Sequence, residues 1–192
     1  MNINTTYTKI ITGEDLMETA QHGSTLYPFQ FYYEDLSVFD FNCIEWHWHT
    51  ELEFIYIESG TVTLWIGEDQ FHLTEGNGVF INTKVLHRLY SPSKALIPNF
   101  VFMPSFIAPC DSLIYQKYIL PIISSSLPFL VFHKKVCWQA KVLSIMRQII
   151  SAQDSVLSKE LLTSSLLQNL WLEISENTDI SYPKEHQEYS TA

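Results

Sequence analysis

Between Ile10 and Thr83 the chain has no lysine or arginine, although that stretch carries thirteen carboxylates. Over the full length 11 Lys+Arg stand against 21 Asp+Glu, a net charge of −10. A surface built to wrap a polyanion is thereby excluded, because phosphate contacts rest mainly on Lys and Arg. Glycine is scarce and segregated, all six lying between Gly13 and Gly78, and from Gln139 onward neither Gly nor Pro occurs until Pro183. The only cysteines are Cys43, Cys110 and Cys137, an odd number without a CxxC pair. That excludes a disulfide framework and fits a reducing cytosol, with each thiol expected as a small buried apolar side chain. No apolar run approaches the roughly 18–20 residues of a membrane span. The longest, Tyr118 to Ile123, is broken by Pro121. The first twenty residues lack a cationic start followed by an apolar block, so no signal peptide is expected and the reading is cytoplasmic. Nucleophile-elbow, P-loop and dinucleotide motifs are also missing.

What is present divides into two halves. The 46% apolar content of 192 residues is enough for a sizeable core. From about Pro28 to Met103 short runs of β-formers alternate with Gly-marked or polar turns. They include Phe29–Tyr33, Phe54–Ile57, Thr61–Ile66 as the hairpin partner of the preceding run, Gln70–Thr74, Val79–Ile81, Leu86–Tyr90 and Asn99–Met103. Many short strands at close spacing predict an antiparallel barrel or sandwich. Beyond Trp138 the period changes. Trp138, Val142, Leu143, Ile145, Met146, Ile149 and Ile150 fall on one arc of a helix. A second helix, about Ser158 to Glu176, starts with Ser158 as N-cap and Glu160 in the first turn. It carries Leu157, Leu161 and Leu172 outside its main arc. Either the core face is wide or a second neighbour, another subunit, packs there. A further helix is expected from about Asp111 to Ile123, bridging the halves.

The residues able to carry chemistry stand in one β segment, His47-Trp48-His49-Thr50-Glu51-Leu52-Glu53. Residues two apart in a strand share a face, so His47 and His49 point together, and Glu53 has the same parity or swings in after a short turn. Imidazoles with a carboxylate suit zinc, iron, nickel or manganese. With His49 and Glu53 inward, alternation puts Ile55 inside and Phe54 and Tyr56 outside. His72 reads as a surface strand residue. His22, His133 and His186 have no partners in sequence and read as solvated or structural. The 14% aromatic content suits either a sugar-type pocket or plain barrel core.

The spacing His47, His49, Glu53, Gly60 resembles the first motif of the cupin superfamily. The second motif aligns as Gly76, Asn82, Lys84, His87 and Ser91, keeping Gly and His but replacing the family's Pro, second Gly and Asn. By this resemblance His87 is a fourth ligand from another strand. The strings WHWHTELEFIYIESG, EGNGVFINTKVLHRLYSP and SFIAPCDSLIYQKYILPIISSSLPFLVF narrow it. Together they are similar to the sensor domain of AraC-type transcription regulators, over about residues 25 to 175.

The resemblance implies a mainly β fold with α, a cupin-like (jelly-roll) antiparallel barrel followed by a C-terminal helical subdomain. The expected division is an N-terminal arm (1–27), the barrel (28–108), a helical dimerisation subdomain (109–177) and a linker (178–192) toward a DNA-binding domain that this chain lacks. The family's sensor barrels take an organic effector, here a sugar or related metabolite, at His47, His49, Glu53, Ile55 and His87, with no cofactor. The alternative is a divalent ion (Zn, Fe, Ni or Mn) on His47, His49, Glu53 and His87, and with it a small metal-dependent enzyme of the isomerase or oxygenase class. A homodimer through Leu161, Leu166 and Leu172 is expected, with DNA bound only through the missing module and no membrane partner.

Overall fold

The computed structural model describes residues 1–155 and 157–178. Eight strands come first: β1 (Phe29–Asp35), β2 (Cys43–His47), β3 (Leu52–Tyr56), β4 (Thr61–Ile66), β5 (Asp69–Thr74), β6 (Gly78–Ile81), β7 (His87–Tyr90) and β8 (Leu96–Phe102). A π-helical stretch, Tyr115–Ile119, runs into the short helix α1 (Leu120–Ile123). Then follow β9 (Phe129–Phe132), α2 (Cys137–Ala152) and α3 (Lys159–Asn177). All strand pairs are antiparallel, in a five-stranded sheet ordered β1-β8-β3-β6-β9 and a four-stranded sheet ordered β2-β7-β4-β5.

Alternation along the five-stranded sheet sorts side chains by size. Ile55, Val79, Ile81 and Ile97 join Ile44, Val62, Leu64 and Leu89 of the other sheet in an aliphatic barrel core. Phe54, Phe80, Phe100, Phe102 and Phe132 project the other way, into a layer with Met146, Leu167, Leu170 and Trp171 of α2 and α3. Because both faces are covered, these strands read as nearly unbroken apolar runs. Phe54 is the centre of the aromatic layer, with ring centroids 5.0 Å from Phe80, 5.4 Å from Phe100 and 6.1 Å from Phe102. These five phenylalanines are therefore helix-facing core, whereas Tyr32 of β1 lines the barrel cavity. Gly78 is where α2 comes closest: a Cβ there would lie 2.8 Å from Leu143 and 3.3 Å from the Ile55 carbonyl.

Several expectations change. The segment from Phe54 to Ile66 is not a hairpin, since β3 pairs with β6 and β8 while β4 pairs with β5 and β7. Its turn carries the chain from one sheet to the other, with Gly60 at φ +88° and a Cβ position 2.9 Å from Ala95. β9 lies inside the stretch expected to be helical, where Phe129–Phe132 covers the free edge of β6. An unpaired edge would leave a row of backbone groups unsatisfied. Leu161 and Leu172 are exposed on α3, but Leu166 belongs to the core against α2, which removes it from any outer face. Ser158 does precede α3 and Glu160 lies in its first turn, although the serine side chain makes no capping bond. Cys43 is buried as expected, whereas Cys110 and Cys137 are exposed. His72 is exposed, as its strand pattern implied. The linker expected over 178–192 and His186 lie outside the described residues, apart from Thr178.

Truncating Phe54 to Ala is expected to lower the unfolding free energy by about 3–5 kcal/mol, as for a fully buried aromatic. Urea denaturation followed by fluorescence measures it. A loss below about 1 kcal/mol would mean that the ring layer does not anchor the helices.

Candidate functional site

β2 ends at His47, and residues 48–51 cross from the four-stranded to the five-stranded sheet before β3 starts at Leu52. Of the two expected routes, a continuous strand or a short turn, the structure takes the second, and Glu53 arrives from the opposite sheet. A bulge sets the aim of His47. Ile44 lies opposite Leu89 and His47 opposite His87, three steps on β2 against two on β7. Without the extra residue, alternation from the inward Ile44 would send Trp46 into the barrel and His47 out. The bulge instead opposes His47 and His87, their ring centroids 4.1 Å apart.

His47, His49 and His87 are all buried and place ring nitrogens within 4.8 Å of one another. Each Nδ1 faces a backbone carbonyl: Glu45 at 2.9 Å for His47, Glu51 at 3.2 Å for His49 and Val85 at 2.9 Å for His87. A carbonyl only accepts, so each Nδ1 carries a proton and donates it. In a neutral ring the Nε2 lone pair is then left for the barrel interior. This is the arrangement by which an outer partner fixes the tautomer of a metal-binding histidine.

Glu53 Oε2 lies 3.3 Å from His49 Nε2 and 3.1 Å from His87 Nε2. Burial pushes the Glu53 carboxyl up, but the imidazoles of His49 and His87 beside it outweigh burial and hold it well below the usual carboxylate range. Burial also opposes protonation of His49, yet Glu53 raises its pKa. His47 is pushed down to about 3 by burial and by His87. The His87 Nε2 makes no aligned hydrogen bond. A carboxylate and a lone pair repel at that separation, so the cluster calls for a positive charge among these atoms. A proton on His49 supplies it, and so would a divalent cation. The donor set of three imidazoles and one carboxylate fits zinc, iron, nickel or manganese, which would act there as a Lewis acid.

The loop before His87 is held by residues that replace the family's motif glycine and proline. Lys84, at the second Gly position, has φ +61°, the left-handed conformation that glycine adopts freely. Its N–H donates to the His49 carbonyl at 2.8 Å, tying the two ligand-bearing segments together. Asn82, in place of Pro, donates to the carbonyls of Ile122 and Leu127 and so fastens the loop to the helical half.

Above the cluster is a cavity of about 30 Å³. Ile55, His47, His49 and Glu53 line it, together with residues that spacing did not disclose: Tyr7, Glu18, His22, Tyr32, Glu34 and Asn99. His87 sits behind them, fully buried. His22 is correspondingly buried, not solvated, while His133 is exposed. Glu34 accepts from Tyr7 at 2.5 Å and from Asn99 at 2.8 Å. Burial raises its pKa to about 7 against those two hydrogen bonds. Polar residues interrupting apolar strands were the readable signal for Glu34 and Asn99, whereas Glu18 and His22 had none.

Residues 43–97 match the family described as the cupin domain. The chain is similar to the cupin domain over those residues. The curated relative is an uncharacterized HTH-type transcriptional regulator, YdeC of Bacillus subtilis (strain 168), 24% identical over 143 residues. That alignment takes in 72% of this chain, and the chain spans only 48% of the relative's length. Among solved structures, ToxT from Vibrio cholerae superposes with a TM-score of 0.54 at 13% identity, covering 82% of this chain and 61% of that one. Apo ToxT K231A gives 0.53 at 11% identity, covering 86% and 62%. At such identities the superpositions establish a shared fold of barrel and helices for the cupin domain and its extension.

The buried Glu34 sets a pH test. Its folded-state pKa near 7 lies above the unfolded value of about 4.3. The folded protein therefore holds the extra proton between these values, and stability falls as pH rises through the window. In Glu34→Gln this loss is absent. The melting temperature of the variant relative to the parent is expected to rise from pH 5 to pH 8, and an unchanged difference would contradict the burial of an unpaired acid here.

Proposed function

We propose that the chain is the effector-sensing part of a transcription regulator, with the effector held inside the barrel at His47, His49, Glu53 and His87. The observation that carries this reading is the closed polar cluster at the centre of an otherwise aliphatic core. A buried group of ionisable residues that does no folding work is costly, and such clusters concentrate at functional sites. The regulator relative supports a DNA-directed role for the whole protein. The DNA-binding helix-turn-helix module belongs, in this reading, to a part of the protein outside this chain, and the site of action is the cytoplasm. Among the described residues no helix is long and apolar enough to cross a membrane.

The cavity size discriminates between effectors. Small-molecule sites enclose about 300–1,000 Å³, whereas this cavity holds about 30 Å³. A sugar or related metabolite therefore enters only after the N-terminal arm withdraws. A divalent cation fits the barrel with the arm in place, and the inward Nε2 atoms favour it. The enzyme alternative, an isomerase or oxygenase, requires the same ion and in addition room for a substrate, so the sensor reading is preferred.

The exposed Leu161 and Leu172 of α3 support pairing of two copies through this helix. Leu161→Arg combined with Leu172→Arg is expected to turn a dimer into a monomer in light scattering without lowering the melting temperature. A parent chain that is monomeric at high concentration would count against pairing. For the effector, thermal melts of metal-stripped protein with zinc, manganese or nickel, and separately with a panel of sugars, decide the class. At about 100 times Kd a true ligand stabilises by about 2.7 kcal/mol. Stabilisation by an ion that disappears in His49→Ala supports the cation, stabilisation by a sugar alone supports the organic effector, and stabilisation by neither would overturn the sensor reading of this cluster.

A further inference from the structure

Two unlike ends meet in the barrel cavity. At one, His47, His49 and His87 surround Glu53. Glu53 lies opposite Val101 of β8, whereas Glu34 lies opposite Ile97, farther along the same strand. Glu34 therefore builds a second polar end, and only 4% of it is exposed. Its carboxylate accepts from the Tyr7 hydroxyl and from the Asn99 amide, both of them neutral groups. The charges that reach it, from Glu53 and Glu18, are of its own sign. Among the described residues lining the cavity there is no Lys or Arg. The proton that His49 shares with Glu53 serves the other end, so Glu34 has hydrogen bonds but no counter-charge.

A second group at this wall also lacks a partner. His22 Nε2 is buried without a hydrogen bond, and the whole residue is only 7% exposed. Its Nδ1 pairs with the Tyr32 hydroxyl at 2.9 Å, while Glu18 Oε2 stands 3.3 Å from Nε2 without an aligned bond. Buried polar atoms are normally satisfied, so a bare one beside a cavity points to a ligand. What the wall offers that ligand is acceptors. A carboxylate has about four acceptor positions, and Glu34 has filled only those facing Tyr7 and Asn99. Glu18 adds a second carboxylate, and His22 adds an Nε2 lone pair when its Nδ1 donates to Tyr32. Ile44, Ile55 and the rings of Tyr7 and Tyr32 line the same space, a setting that suits C–H groups next to a positive charge. A ligand with several N–H donors, one positive charge and an apolar end matches this wall. The cavity of about 30 Å³ has room for about two water-sized groups.

We propose that the Glu34 end of the barrel is an ammonium subsite, so that the effector is a small organic amine held by Glu34, Glu18 and His22. This rests on the reading of the barrel interior as the effector site and names the class of molecule that enters. An ammonium group brings three N–H donors to the two carboxylates and the imidazole. It also supplies the counter-charge that Glu34 lacks. Burial raises the pKa of the free acid to about 7, so part of the population is protonated before binding. Pairing with the ammonium ion drives that proton out to solvent, and Glu34 becomes a full carboxylate. The imidazole end is left free, so the subsite is compatible with a divalent ion on His47, His49 and His87.

Carbon-13 NMR of the glutamate carboxyl groups, recorded on the full chain at pH 7 during titration with methylammonium chloride, tests this. Sodium chloride controls for salt, and tetramethylammonium chloride for a cation without N–H donors. Methylammonium is expected to shift the Glu34 carboxyl saturably toward its ionised position, with release of roughly half a proton per site. With so few heavy atoms the probe binds in about the millimolar range. Glu34→Gln and His22→Phe are expected to weaken it by about 10-fold or more, read from the resonances of Tyr32 and Asn99. A cooperative melt near that of the parent certifies the fold of each variant, and should one not fold, the other and the parent's proton release still decide. A Glu34 carboxyl that responds to methylammonium no differently than to sodium, or variants that keep the parent affinity, would overturn the ammonium subsite. A barrel that responds to zinc or a sugar but not to methylammonium would overturn the amine class alone. No response to amine, ion or sugar would overturn the effector reading as well.

Discussion

A carboxylate at the centre of an aliphatic barrel must be balanced by positive charge, and the architecture of this protein follows from that requirement. Glu53 is buried on β3 and remains ionised. An isolated ion in such surroundings costs several kcal/mol even after relaxation. Two imidazoles face it, from the crossing segment and from β7, each fixed by a carbonyl behind it. The shared charge can be a proton or, in the function proposed above, a metal ion.

The surrounding fold serves the geometry of that small group. The chain passes between the two sheets at residues 48–51, so that ligands from both converge. One extra residue in β2 turns His47 inward. Lys84 in a left-handed conformation brings the loop before His87 onto the His49 carbonyl. Phe54, Phe80, Phe100, Phe102 and Phe132 pack beneath α2 and α3, and the barrel interior holds mostly aliphatic side chains around the polar cluster. Asn82 then links the site to the helical half through Ile122 and Leu127. The barrel interior, the N-terminal residues and the helical half thus adjoin one another.

Much of this was legible in the sequence. Period-two runs, glycine turns and the change to a helical period placed the two halves. The spacing of His47, His49, Glu53 and His87 singled out the residues that the fold brings together in the barrel. What was not legible has physical reasons. Sheet membership depends on long-range pairing, so β3 and β4 resembled a hairpin although the chain changes sheets between them. β9 is a short apolar run between helices, and only the open edge of β6 makes it a strand. The alternation rule correctly joined His47 to His49, but it could not foresee the bulge that relates His47 to Ile44. Leu166 was expected to pair subunits with Leu161 and Leu172, but it lies on the helix's main apolar arc and packs in the core against α2. Glu18 and His22 come from an arm with no periodicity, so their place at the cavity is visible only in three dimensions.

Nitrogen-15 NMR of the histidine side chains, recorded on metal-stripped protein at neutral pH and again during titration with zinc, tests the account most directly. The account predicts that His47 and His87 carry their protons on Nδ1, that His49 shares its charge with Glu53, and that zinc perturbs the Nε2 resonances of all three while the Nδ1 protons persist. Nε2-protonated tautomers for these rings, or Nε2 resonances that ignore the ion and every small effector tried, would contradict it.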